Sequence, residues 1–279
     1  MSTKRSTKKK PPSKTRAQSA KDVSATAPAK DEAAAPMKIL SIDIGGTKLK
    51  MLASGQTEPR KTASGPDFTP AKMVAAVKRL ARGWDYEAVS IGIPSLVGHA
   101  GPSSEPGNLG AGWVGFDFAA AFGLPVKLIN DASMQALGSY EGGRMLFLGL
   151  GTGVGAALIA ENSIVPLELG HLPWNRHRTE LFQVLGRAGL LRYGLRQWRE
   201  TVNTTVIRLM HAFIADYVVV GGGNAKRLKN IPNGVRLGHN LTAFRGGFRL
   251  WGVEDVPVQT TDALPQTPPA KTSLDWRML

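Results

Sequence analysis

Cysteine is absent from all 279 residues. That excludes disulfides, thiolate metal centres and cysteine nucleophiles, and nothing here calls for an oxidising compartment. No apolar run is long enough to span a bilayer, and the N-terminus lacks the apolar core of a secretory signal. A cytoplasmic protein with no membrane partner is expected. No GxxxxGK[ST] loop occurs, which disfavours a P-loop nucleotidase, and no repeat of solenoid period is visible.

Positive charge is abundant but uneven. Net charge is +14, of which residues 1–36 carry +6, from nine Lys/Arg and three Asp/Glu. This segment (Lys4, Arg5, Lys8, Lys9, Lys10, Lys14 and Arg16 among Ser, Thr, Pro and Ala) has almost no apolar residues and reads as a disordered basic tail. A solvated extension is the simpler reading of it. A nucleic-acid arm, a polyphosphate-gathering arm and an address signal are the sharper ones. Residues 254–279, with Pro257, Pro265, Pro268 and Pro269, read as a flexible C-terminal tail.

Between the tails, two α/β segments are expected, at 37–140 and 141–253. In the first, Ile39, Leu40, Ile42 and Ile44 form a buried strand that turns at Gly45-Gly46-Thr47 and resumes at Leu49. Thr69-Pro70 opens a helix with its apolar stripe at Met73, Val74 and Val77, and Gly83 ends it. A strand at 89–94, a glycine-rich loop from Gly98 to Gly115, a strand at 125–130 and a helix from Asp131 follow. The second segment repeats the plan. A strand at 145–150 turns at Gly151-Thr152-Gly153 into Ala156–Ala160, and a helix around 195–213 precedes a strand at 217–220 and Gly221-Gly222-Gly223.

Several residues in this pattern carry chemistry. Glycines let backbone N–H groups approach phosphate oxygens, Thr47 adds a hydroxyl donor, and Asp43 at a strand end can hold hydrated Mg²⁺. A plain hairpin with a capping Asp is the competing reading. Gly151-Thr152-Gly153 offers a second cradle of the same kind. Gly151-x-Gly153-x-x-Ala156 also matches a dinucleotide fingerprint, which requires a helix to follow, yet Ala156–Ala160 is short and apolar. Asp131 begins a helix outside the carboxyl end of a strand, where it can cap the helix or accept a proton from an attacking hydroxyl. Asn130 suits a polyhydroxy ligand. In Glu168-Leu169-Gly170-His171, Glu168 and His171 can hold vicinal hydroxyls, or be a surface Glu and a core His. No second His or Cys lies at metal-ligand spacing from His171.

Asp43-Ile-Gly-Gly-Thr-Lys48, Asn130-Asp131-Ala132, Leu150-Gly-Thr-Gly-Val-Gly155, Glu168-Leu-Gly-His171 and Val220-Gly-Gly-Gly223 occur in the order and spacing of the ROK family. The chain resembles that family over about residues 37–250. Its members are sugar kinases and related repressors with the actin-like, ribonuclease-H-like ATPase fold, two similar α/β domains around a cleft. The stretch Gln197–Asn203 looks most like the polyphosphate/ATP glucokinase branch. The resemblance implies a glucokinase-like transferase of carbohydrate metabolism that moves a phosphoryl group from ATP, polyphosphate or both to a hexose 6-hydroxyl, glucose above all. It places Asp131 as general base and Asn108, Asn130, Glu168 and His171 on the sugar. Asp43, Gly45, Gly46, Thr47, Lys48, Gly151, Thr152 and Gly153 would hold the phosphate donor, Asp43 meeting Mg²⁺ through water, and Gly221, Gly222 and Gly223 would flank adenosine. A homodimer without zinc is implied, with nucleic acid engaged at most through the basic tail.

The chain departs from the family at Ser95, where Gly-x-Pro-Gly is usual, and at 233–250, where an Ala- and Gly-rich final helix is expected. A non-catalytic, sugar-responsive regulator is the alternative; the absence of a helix-turn-helix module argues against it. A nicotinamide enzyme that binds its cofactor at Gly153 is a third option.

Overall fold

A computed structural model describes residues 37–98, 100–175, 178–239, 241–253 and 276–278. The basic tail and most of the expected C-terminal tail lie outside the described residues. Contacts gather the described residues into one compact unit, and its core is built on two sheets.

The first sheet contains β1 (Ile39–Ile44), β2 (Lys48–Ala53), β3 (Arg60–Ala63), β4 (Ala88–Ile93) and β7 (Val126–Asn130) in the order β3-β2-β1-β4-β7. β1 and β2 form the expected hairpin, whereas β1, β4 and β7 run parallel. The short strands β5 (Val97–Gly98) and β6 (Gly101–Pro102) pair with each other in the long loop. Helix α1 (Pro70–Leu80) starts as expected, with the Thr69 side chain accepting the Lys72 N–H and Met73, Val74 and Val77 buried. Helix α2 (Phe118–Phe122) precedes β7, and α3 (Asp131–Ser139) follows it.

The second sheet repeats this topology. β8 (Met145–Leu150), β9 (Val154–Ala160), β10 (Ser163–Leu167), β11 (Tyr217–Gly221) and β12 (Val235–Leu237) lie in the order β12-β11-β8-β9-β10, with the same parallel and antiparallel neighbours. Glu161 and Asn162 sit at φ 50° and 58° and close a two-residue hairpin into β10. β9 follows Gly153 where a dinucleotide fold needs a helix, so the nicotinamide option is excluded. Helix α4 (Leu181–Leu185) and α5 (Arg187–Ala212) cover this half, and α5 breaks at Gly194, whose φ is 73°. The last residues are not a loose end. Arg277–Met278 forms β13, parallel to β10, and Trp276 packs edge-on against Tyr140.

The expected final helix is present as α6 (Thr242–Arg249). It crosses α3 in the most extensive contact between any two helices and also lies on β1 and β4. Two glycines permit the crossing. A Cβ on Gly138 would stand 1.7 Å from the Thr242 carbonyl oxygen, and one on Gly246 1.8 Å from that of Met134. Buried Arg249 then donates to the Leu137 and Tyr140 carbonyls at 2.7 and 2.8 Å, satisfying acceptors at the C-terminal end of α3. The two halves are therefore joined through the helix that begins at Asp131.

Candidate active site

Asp131 stands at the first position of α3, not at its cap. The cap is Asn130, whose Oδ1 accepts the Ala132 and Ser133 N–H groups at 3.0 and 3.1 Å. Its Nδ2 donates to the Ser95 carbonyl at 3.1 Å. Three of the interactions open to Asn130 are thus internal, and one N–H is left over. This corrects the cap expected of Asp131 and narrows the ligand role expected of Asn130. The carboxylate of Asp131 accepts the Ala132 N–H through Oδ1 at 2.8 Å.

The surroundings make Asp131 basic. Burial, and then the neighbouring charge of Asp43, raise its carboxyl to about 7; the charge of Glu168 adds to this, while the Ala132 N–H opposes it. Asp43 is itself buried, and desolvation raises its carboxyl although Lys50 opposes the shift. Strand register accounts for the proximity. Asp43 pairs with Gly92, and Gly92 with Ile129, just ahead of Asn130 and Asp131. A Cβ on Gly92 would lie 3.3 Å from the Asp131 Cα, so this glycine lets α3 approach the sheet.

The first glycine turn differs from its sequence reading. Neither Gly45 nor Gly46 has positive φ. The Gly45 N–H is spent inside the turn on the Lys48 carbonyl, at 3.0 Å, and its own carbonyl accepts from Ser64 Oγ at 2.6 Å. Gly46 is required for another reason: its Cβ would lie 3.0 Å from that of Asn108, which brings the long loop onto the turn. Thr47 and Lys48 are exposed beside it. Glu105 fixes that loop by accepting the N–H groups of Trp113 and Val114 at 3.0 and 3.3 Å.

At the second turn the glycines have room. Gly151 and Gly153 lack positive φ, and no heavy atom lies within 4 Å of a Cβ built on either. The fold requires glycine at neither position, so open space beside the backbone is what they provide. The turn is anchored from behind, the Gly151 carbonyl accepting from the Arg187 N–H and Asn224 Nδ2, each at 3.0 Å. It reaches the first half because a Cβ on Gly155 would lie 2.7 Å from that of Ala132.

The three glycines after β11 separate by role. Gly221 is buried in the strand, with Phe147 2.6 Å from its would-be Cβ, and so does not face a ligand. Gly222 needs its φ of +83° and sits against Leu150. Only Gly223 opens to space. Gly222 and Gly223 line a cavity of about 440 Å³ with Lys226, Arg236, His239, Thr242 and Arg245. A larger cavity, about 860 Å³, lies by α2, β7 and Trp276–Met278 and contains none of the expected residues.

Glu168 precedes and His171 ends a short 3-10 turn, Leu169–His171, that rests on β9 through Gly170. His171 is exposed rather than a core histidine; its Nδ1 lies 3.4 Å from Glu180 Oε2 and its ring is edge-on to Phe182. Among the described residues no group of three or more His, Cys, Asp or Glu could hold a metal. Sequence reading missed Ser64, Gly92, Glu105 and Asn224, and took Ser95 only as a departure from the family pattern. Ser64, Gly92 and Asn224 act through contacts remote in sequence, Glu105 through bonds inside its own loop, and only Asn224, beside the triple glycine, had a local signal. Ser95 supports the site where the family pattern has another residue, its Oγ donating to the Ser104 carbonyl at 2.6 Å.

Comparison with known proteins shows the family and the fold. The ROK family model matches residues 39–179. Polyphosphate glucokinase of Mycobacterium leprae is 24% identical over 205 residues, 68% of this chain, and the match spans 60% of that enzyme. Among solved structures, the inorganic polyphosphate/ATP-glucomannokinase of Arthrobacter sp. strain KM superposes with a TM-score of 0.64 at 23% identity, over 76% of this chain and 97% of that one. A ROK family glucokinase from Streptomyces griseus, in complex with glucose and AMPPNP, gives 0.62 at 18% identity over 76% and 98%. The paired sheets are those of the actin-like ATPase fold, and with a family match over half its length the chain belongs to the ROK family.

Proposed function

We propose that this protein is a hexose kinase of the glucokinase type. It transfers a phosphoryl group from ATP or polyphosphate to the 6-hydroxyl of a hexose, glucose foremost. The observation that carries the reading is Asp131, a carboxyl raised to about 7 at the start of a helix that packs closely on Gly92 and Gly155. A base titrating near working pH is well matched to taking a proton from an attacking hydroxyl. Asp131 accepts the proton of the 6-hydroxyl, and Asn108, the remaining N–H of Asn130, Glu168 and His171 hold the other hydroxyls. The open turn at Gly151-Thr152-Gly153, with Gly46 and Thr47 opposite, positions the donor's phosphates. Phosphoryl transfer passes through a loose transition state, so alignment and charge neutralisation supply most of the rate.

Buried Asp43 suits Mg²⁺, which takes one or two carboxylates together with substrate phosphates and water rather than a full protein cage. Bound there through water, the ion would offset charge on the phosphates. When ATP is the donor, its adenosine fits the cavity beside Gly222 and Gly223, whose basic lining suits a nucleotide. The family resemblance supports a homodimer. Nothing in the site favours the regulator reading.

A coupled assay over several hexoses, with ATP and with polyphosphate, tests the reading. Sugar phosphate formed with at least one pair supports it and identifies the donor. No phosphorylation of any hexose with either donor overturns it.

A further inference from the structure

Among the described residues, Lys50 is the one cation paired with a candidate site carboxylate. It faces Asp43 across β1 and β2, with Nζ 3.5 Å from Oδ2. The carboxylate is buried while the Lys50 side chain is 37% exposed, so the ammonium lies on the open side of the pair with donors to spare. The even-numbered residues of β2 share this face: Leu52 packs under Phe244 and Phe248 of α6, Lys50 lies nearer the turn, and Lys48 is beyond it.

The next strand adds charge of the same sign. Lys61 of β3 is directly opposite Lys50 in the antiparallel register. Such positions bring Cβ atoms to about 4.5–5.5 Å, where like charges oppose pairing. Lys61 is exposed and has no ion-pair partner among the described residues. Lysines on edge strands often guard against unwanted pairing. That accounts for a lysine on β3 but not for Lys50, whose strand is paired on both sides. The end of β3 is also tied to the glycine turn, Ser64 contacting the Gly45 and Thr47 carbonyls.

We propose that Lys50 and Lys61, with Lys48 beside them, form an oligophosphate-binding subsite extending from Asp43 across β2 and β3. An anion lying between the two opposed lysines relieves their repulsion and places a chain of phosphates along the sheet toward the turn. The proposal rests on the reading of the Asp43 turn as the phosphate-donor site. Its ligand chemistry, a run of linked phosphates, is shared by inorganic polyphosphate and the triphosphate of ATP.

Calorimetric titration of the full chain with inorganic tripolyphosphate, and separately with ATP, tests it without turnover. Lys50→Met and Lys61→Met should each weaken tripolyphosphate binding about tenfold and flatten its salt dependence, with glucose binding unchanged. Lys61→Arg, which keeps the charge, should restore affinity and guards against a folding defect. If ATP weakens in parallel, the subsite serves any triphosphate; if only tripolyphosphate does, it serves the inorganic chain. Wild-type protein that fails to bind tripolyphosphate, or lysine variants that bind it as tightly as wild type, overturns the proposal. Binding that depends on these lysines in a protein that phosphorylates no hexose leaves the subsite standing and removes the kinase reading instead.

Discussion

In the proposed reaction Asp131 serves as the base because of where its carboxylate is held. With its carboxyl near 7, turnover should fall on the acid side of pH 7 by about tenfold per unit as the base is protonated. A profile of kcat against pH checks this, and a rate unchanged down to pH 5 assigns the proton transfer elsewhere. The same shift has a stability consequence. The carboxyl titrates near 3.8 in the unfolded chain and near 7 when folded, so between these values the folded state binds the extra proton. Stability from this group is therefore lost as pH rises through that window. Asp131→Asn should raise Tm at pH 8, with the gain fading toward pH 4, as scanning calorimetry would register. At this scale the sequence was informative about identity but not about division of labour. Asp131 and Asn130 are adjacent, and only backbone direction decides that Asn130 caps the helix while Asp131 takes its first position. Gly221 and Gly223 are equally alike in sequence, yet a neighbouring Phe147 ring makes one structural and leaves the other open.

Elements position that carboxylate from both ends of α3. Asn130→Ala removes the cap and the link to Ser95, at a cost of about 0.5–2 kcal/mol of stability. Urea unfolding would measure it, and kcat should fall with it because the start of the helix loses its tether. At the crossing, Gly246→Ala forces a methyl against the Met134 carbonyl and should cost about 1–3 kcal/mol or more. A variant as stable as wild type would mean that α6 does not sit this closely on α3. Period and turn chemistry made β1, β2, α1, β8 and β9 legible. β3, β10 and β12 were missed for physical reasons. β3 is a four-residue edge strand with two basic residues, β10 contains Pro166, and β12 has three residues. The final helix was obscured because Gly246 and Gly247 serve close packing and give little helical signal.

The described residues are one topology used twice, with α3 of the first half crossed by α6 of the second. The duplication could be read from two strand–glycine turn–strand units more than 100 residues apart, since each unit is local. The crossing could not, because contacts such as Gly138 with Thr242 depend on how the halves meet. This arrangement brings both glycine turns to one end of α3, so the site depends on the assembled chain.

The most direct test of the central claim is phosphoryl transfer to glucose by wild type and Asp131→Asn side by side, with glucose binding measured for both. Wild type should form glucose 6-phosphate from ATP or polyphosphate, and the variant should bind glucose yet turn over at least about 100-fold more slowly. A variant as fast as wild type would contradict the account.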